Sequence, residues 1–210
     1  MTIIEIQGVI QKVVDKVKEF LGFGPVKIKF KRLDERAVMP AYAHAGDVCM
    51  DLTAIDVEYD SSMDCYIYHT GLAFESGANH GMFMFARSSN RNTESYLCNG
   101  VGVVDSYLYR GEVVFCYKNR KSLKDVVESK KFEIMFEKLK TRSKLSLEDI
   151  EKAESVEADI IGNPLAYAPY KVGERIGQML VLGYKTVQME EVESLSETER
   201  GEGGFGSTGK

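Results

Sequence analysis

The residues best equipped for chemistry in this 210-residue chain fall in one stretch. It runs Arg87-Ser88-Ser89-Asn90, then Leu97-Cys98-Asn99-Gly100-Val101-Gly102-Val103-Val104-Asp105, then Tyr109-Arg110-Gly111-Glu112. An Arg and hydroxyls in a turn suit phosphate oxygens, because the guanidinium donates as a fork and each hydroxyl adds a donor. A Gly-rich turn lets backbone amides come close to a ligand. An Asp among apolar residues is costly unless it has a partner or a task, so Asp105 is expected to sit buried in the glycine hairpin with work to do. Each feature has a plainer reading as well. Arg-Ser-Ser is common, and an Asp beside a turn often serves as a cap.

Such residues need a scaffold, and the hydrophobic pattern supplies one. Residues 2–21 place Ile3, Ile6, Ile10, Val13, Val14, Val17 and Phe20 at helical spacing, with Gly22 as the stop. After Pro25, Val26, Ile28 and Phe30 alternate with Lys27, Lys29 and Lys31, as in a half-exposed strand. From there to about residue 118 the chain is short β-like runs, such as Cys65–His69, Gly81–Phe85 and Val113–Tyr117, split by turn residues. That pattern predicts a mainly β fold of the sandwich, barrel or jelly-roll kind. Residues 119–160 are rich in Lys and Glu, with Ser122 and Ser146 placed as N-caps, and predict a helical insertion. β-character returns around Gln178–Tyr184, and Gly201–Lys210 reads as a flexible tail.

Composition narrows the function. The net charge of −5 argues against a nucleic-acid binder, so an anionic ligand must meet a local basic pocket. The four cysteines (Cys49, Cys65, Cys98, Cys116) form no C-x-x-C pair and only three histidines accompany them, which disfavours zinc and suits reduced thiols in the cytoplasm. No apolar run is long enough to cross a membrane, and Glu5, Gln7, Gln11 and Lys12 interrupt any signal-peptide reading. Gly204–Lys210 spells G-x-x-x-x-G-K, but without the Ser/Thr and the helix that a P-loop needs.

The order of the motifs adds a further inference. Ala45–Ala54, Ala86-Arg87-Ser88-Ser89, Asn99–Glu112, Gly173–Gln178 and Arg200–Gly209 resemble, in sequence order, the five motif regions of the trimeric dUTPase family, and Thr70-Gly71-Leu72-Ala73 also fits. The resemblance covers residues 38–210. Three departures stand out: Asp47-Val48-Cys49-Met50 is longer than the family's link, Ala86 replaces a Pro, and one residue is inserted near Tyr109.

The resemblance implies a jelly-roll-like β-barrel with an N-terminal helix and a helical insertion, assembled as a homotrimer whose subunits share active sites. It implies Mg²⁺-dependent hydrolysis of dUTP to dUMP and pyrophosphate, which keeps uracil out of DNA and supplies dUMP. Asp105 matches the water-activating carboxylate. Asn99 matches the uracil-reading amide, with Gly102 and Val104 in the turn that completes the pocket. Tyr109, with Tyr107 as the alternative, matches the ring under the deoxyribose. Arg87, Ser88, Ser89 and Gln178 match phosphate contacts. Arg200, Phe205, Gly206, Ser207 and Thr208 match a C-terminal lid that clamps phosphate and stacks on the base. Asp51 matches a carboxylate that reaches the metal only through water.

The expected organisation is a helix over 1–24, a β domain over 25–198 with its insertion at 119–160, and an arm over 199–210. Two other functions compete: a dCTP deaminase-like relative, and a dUTP-responsive regulatory protein that meets a protein partner through the insertion.

Overall fold

The computed structural model describes residues 2–20, 26–77, 79–105, 108–141, 144–199 and 201. The first element, α1 (Ile3–Phe20), opens on a reciprocal cap: the Thr2 amide donates to Glu5 and the Glu5 amide donates to the Thr2 hydroxyl. Its described side chains are exposed.

Ten strands follow among the described residues. β1 (Lys29–Arg32) pairs antiparallel with β5 (Leu72–Glu75) as a two-stranded sheet. β1 begins later than the Val26–Lys31 alternation predicts, and its four residues are exposed. A second sheet runs in the order β2 (Met50–Thr53), β10 (Arg175–Gly183), β6 (His80–Ala86), β8 (Val101–Val104). The third runs β3 (Asp56–Asp60), β4 (Cys65–His69), β9 (Val114–Asn119), β7 (Ser95–Leu97). The pairs are antiparallel.

The two four-stranded sheets share one core. Met82, Met84 and Met179 from one meet Tyr66, Tyr68, Phe115 and Tyr117 from the other. Buried tyrosines need partners for their hydroxyls, and they find backbone carbonyls: Tyr68 donates to Tyr170 and Tyr117 donates to Ile176. The architecture is mainly β and jelly-roll-like, with separate sheets rather than one closed hydrogen-bonded barrel.

The insertion between β9 and β10 is a pair of helices, α2 (Leu123–Lys140) and α3 (Leu147–Gly162). Ser122 and Ser146 each start a helix through a capping box with Asp125 and Asp149. Leu123, Val127 and Ile160 bury against Tyr59 and Tyr167, which anchors the pair to the β domain. No helix of the described residues is long and apolar enough to cross a membrane.

Candidate active site

β7 and β8 are joined by a tight turn. Gly100 adopts φ +65, which a side chain would strain, and its amide donates to Leu97. Gly102 lies so close to Met84 and to the Asn99 amide nitrogen that a Cβ would come within 3.1 and 3.3 Å of them. This turn and the segment after it enclose a cavity of about 410 Å³ lined by Asn99, Gly102, Val104, Asp105 and Tyr109. Met84, Leu97, Phe115, Cys98 and Cys116 form further parts of its wall. Burial pushes the half-buried Cys116 thiol up, so it stays protonated.

Asp105 differs from the expectation: it is exposed, not buried. β8 is the edge strand of its sheet, and Asp105 follows its last residue, where the backbone turns away. The Leu108 and Tyr109 amides both donate to the Asp105 carbonyl, at 2.9 and 2.8 Å, and so fix that turn. Tyr109, not Leu108, faces the cavity. Its hydroxyl donates to the Glu112 carbonyl and its ring lies where a Cβ on Gly111 would be. Glu112 in turn takes the Gly71 amide at 2.6 Å and His69 at 2.9 Å. That contact holds the His69 pKa above its usual value, against the opposing effect of burial.

A second cleft, of about 270 Å³, collects Asp51, Arg87, Ser88 and Gln178. Arg87 donates to both carboxylate oxygens of Asp51, at 2.8 and 3.3 Å, and Arg175 adds a bond at 2.9 Å. Gln178 donates to the Ala86 carbonyl, and Ser89 sits half-buried in the short 3₁₀ turn Ser88–Asn92. Arg175 and Glu112 received no role from sequence. Both stand within the quoted motifs, but nothing in a linear pattern says which carboxylate an Arg will reach.

The two clefts do not merge within one chain. Asp51, Gln178, Phe85 and Val101 lie in one row across the sheet, so Asp51 is three strand spacings from Val101. Asp105 lies four residues beyond Val101. At about 4.8 Å per strand and about 3.3 Å per residue, Asp51 and Asp105 are on the order of 20 Å apart. Arg200, Phe205, Gly206, Ser207, Thr208 and the alternative Tyr107 lie outside the described residues.

The arrangement is that of a mainly β protein with one cavity at the glycine hairpin and a separate basic cleft. The dUTPase family profile matches residues 167–209. A deoxyuridine 5'-triphosphate nucleotidohydrolase of Desulfitobacterium hafniense is 32% identical over 188 residues, covering 88% of this chain and 95% of that one. One of Trichodesmium erythraeum is 27% identical over 186 residues, covering 88% and 99%. In fold, a dUTPase of Staphylococcus bacteriophage 80alpha solved with dUpNHpp superposes with TM-score 0.55 at 18% identity, over 88% of this chain and 99% of that one. A variant dUTPase of phage phi11, described with a structural Mg(II) ion, has TM-score 0.50 at 13% identity, over 80% and 97%. The chain belongs to the dUTPase family, the deoxyuridine 5'-triphosphate nucleotidohydrolases.

Proposed function

We propose that this chain hydrolyses dUTP to dUMP and pyrophosphate by attack of water on the α-phosphate. The reading rests on family membership together with one observation: Asn99, Gly102, Val104, Asp105 and Tyr109 surround a single cavity. Asp105 takes a proton from the attacking water, a new P–O bond forms at the α-phosphate, and the α–β anhydride bond breaks to release pyrophosphate. The Asn99 amide offers a donor and an acceptor to one edge of uracil. A wrong base would leave those polar groups unpaired, which is a strong source of discrimination. The Tyr109 ring lies under the deoxyribose. Hydrolysis of dUTP keeps uracil out of DNA and supplies dUMP.

Arg87, Ser88, Ser89 and Gln178 serve the phosphates, completed by Arg200, Phe205, Gly206, Ser207 and Thr208 of the arm. With Asp51 and Asp105 on the order of 20 Å apart in one chain, one copy's basic cleft serves the hairpin of another, as in the homotrimer with shared sites that the family resemblance implies. Mg²⁺ suits this donor set if the triphosphate carries it. No group of three or more His, Cys, Asp or Glu able to hold a metal occurs among the described residues. Asp51 keeps lone pairs beyond its Arg bonds and would meet a water of the ion's shell, as the family resemblance implies. When bound, Mg²⁺ would supply charge neutralisation at the phosphates. The four free thiols suit work in the cytoplasm.

A second, compatible reading gives the insertion a protein partner. One observation favours it: Phe132 and Phe136 stack at 5.6 Å on the exposed side of α2, beside exposed Met135 and Leu139. Phe132→Ser with Phe136→Ser then abolishes partner binding and leaves turnover intact. A fall in turnover would instead tie those rings to catalysis.

The test of the main reading is pyrophosphate release from dUTP, dTTP, dCTP and UTP with Mg²⁺, beside ammonia release from dCTP. Activity on dUTP alone is expected. Ammonia release, or equal activity on the four nucleotides, refutes it.

A further inference from the structure

α1 carries an apolar seam that no other described residue covers. Ile3, Ile6, Ile10, Val13, Val17 and Phe20 are spaced 3, 4, 3, 4, 3, the strict alternation of a heptad's a and d positions. Ile3, Ile10 and Val17 take a; Ile6, Val13 and Phe20 take d. Val9 and Val14 flank the seam at g and e. The charged residues Glu5, Lys12, Asp15, Lys16, Lys18 and Glu19 all lie off the a and d positions. Yet Ile3 is 76% exposed, Ile10 57% and Val13 56%. An 18-residue helix is marginal in water without tertiary contacts.

We propose that α1 is one strand of a parallel three-stranded coiled coil, formed with α1 of two further copies of this chain. Strand number follows from residue type. β-branched residues at a with Leu at d favour two strands, whereas Ile at both a and d shifts preference to three or four. Here every a and d residue except Phe20 is Ile or Val. The area is adequate. At roughly 60–120 Å² per side chain, Ile3, Ile6, Val9, Ile10, Val13, Val14 and Val17 offer roughly 400–800 Å² per helix. One side of a specific interface buries about 800 Å².

Two and a half heptads would associate weakly alone. The coil therefore rests on the homotrimer proposed above, which holds three helices at high effective concentration and selects three strands rather than four. Other occupants fit less well. The apolar cleft of Val26, Ile28, Phe30 and Met39 measures about 440 Å³, too small for a helix about 27 Å long. An anionic membrane favours a basic helix, whereas Glu5, Asp15 and Glu19 balance Lys12, Lys16 and Lys18.

Amine-reactive cross-linking of the full chain, read by mass spectrometry, tests this. A link between Lys16 and Lys16 can arise only between two copies, and the parallel register sets these g positions at one level, within reach of an amine cross-linker. The expected result is abundant Lys16–Lys16 linkage that falls at least tenfold in Ile6→Asp with Val13→Asp, while that variant still sediments as a trimer and hydrolyses dUTP. Absence of the link in a trimeric wild type overturns the coil and leaves the shared-site reading intact. Links only from Lys16 to Lys27 or Lys29, links that need anionic vesicles, or links undiminished in the variant also overturn it. A wild-type monomer that hydrolyses dUTP removes both the coil and the shared site.

Discussion

The hairpin cleft and the basic cleft are built on opposite principles. In the hairpin cleft, backbone held by Gly100 and Gly102 and apolar walls shape the cavity, with Asn99, Asp105, Tyr109 and Glu112 as its polar residues. The basic cleft is a charge network, in which Asp51 holds Arg87 and Arg175 before any ligand arrives. On the proposed function, the first discriminates by leaving its own polar groups unpaired against a wrong base. On the same reading, the second presents guanidinium groups already oriented, which lowers the entropy lost on binding phosphate. Damage to the first should therefore appear in rate and selectivity, and damage to the second in binding and stability.

Asp105→Asn should break the comparison most sharply. Removing the proton acceptor is expected to lower kcat about 10²–10⁴-fold, while the Kd for a non-hydrolysable dUTP analogue, measured by calorimetry, stays within a few-fold. A large rise in Kd would show that Asp105 binds rather than reacts. Asn99→Ala should lower kcat/KM for dUTP about 100-fold, the scale of two lost hydrogen bonds, and narrow the preference over dCTP. An unchanged preference would move base reading elsewhere.

Arg87→Ala should act in the other cleft. It leaves Asp51, whose side chain is 15% exposed, with Arg175 alone. About 2 kcal/mol of stability should be lost in denaturant titrations, with KM rising more than kcat falls. Arg87→Lys should not restore it, because one ammonium cannot reproduce the two parallel bonds. Gly177→Ala touches both clefts at once. Gly177 precedes Gln178, and a Cβ there would overlap the ring of Phe115, which lines the hairpin cavity. A loss of about 1–3 kcal/mol is expected; a neutral change would mean that Phe115 moves aside freely.

Much of this was legible in the sequence where the signal is local. Ser122 and Ser146 announced their helices because the capping box with Asp125 and Asp149 spans only three residues. Cys65–His69 was legible as a short β-like run because aromatic and β-branched residues bounded by turns suit a strand, and Tyr66 and Tyr68 meet the core. The hairpin was legible because Asn99 through Asp105 is nearly continuous. Contacts that close over long distances were not. Arg175 reaches Asp51 across 124 positions, through a register that only the β2–β10 pairing sets. Asp105 looked buried because its neighbours are apolar, but β8 is an edge strand, and that is a property of sheet order. The late start of β1 has the same origin, since its limits follow β5 rather than its own alternation.

The smallest expected effect links the hairpin cleft to pH. His69 stands 2.9 Å from Glu112, whose carbonyl receives the Tyr109 hydroxyl, and Glu58 lies 3.7 Å from the other ring nitrogen. Asp56 and Arg36 share the same small cleft. The Glu112 hydrogen bond raises the His69 pKa above its ordinary 6.5, so the folded state holds the proton more tightly than the unfolded chain does. Below that ordinary value both states are protonated and the contribution is complete. It is lost as pH rises through the folded pKa. Stability should therefore fall as pH rises through the neutral range, and His69→Asn should remove that slope while leaving the remaining pH dependence intact. If the hairpin is rigid without this support, the slope disappears from stability but kcat for dUTP does not follow it. If Tyr109 depends on Glu112 for its position, kcat/KM declines over the same pH window in the wild type and is flat in His69→Asn.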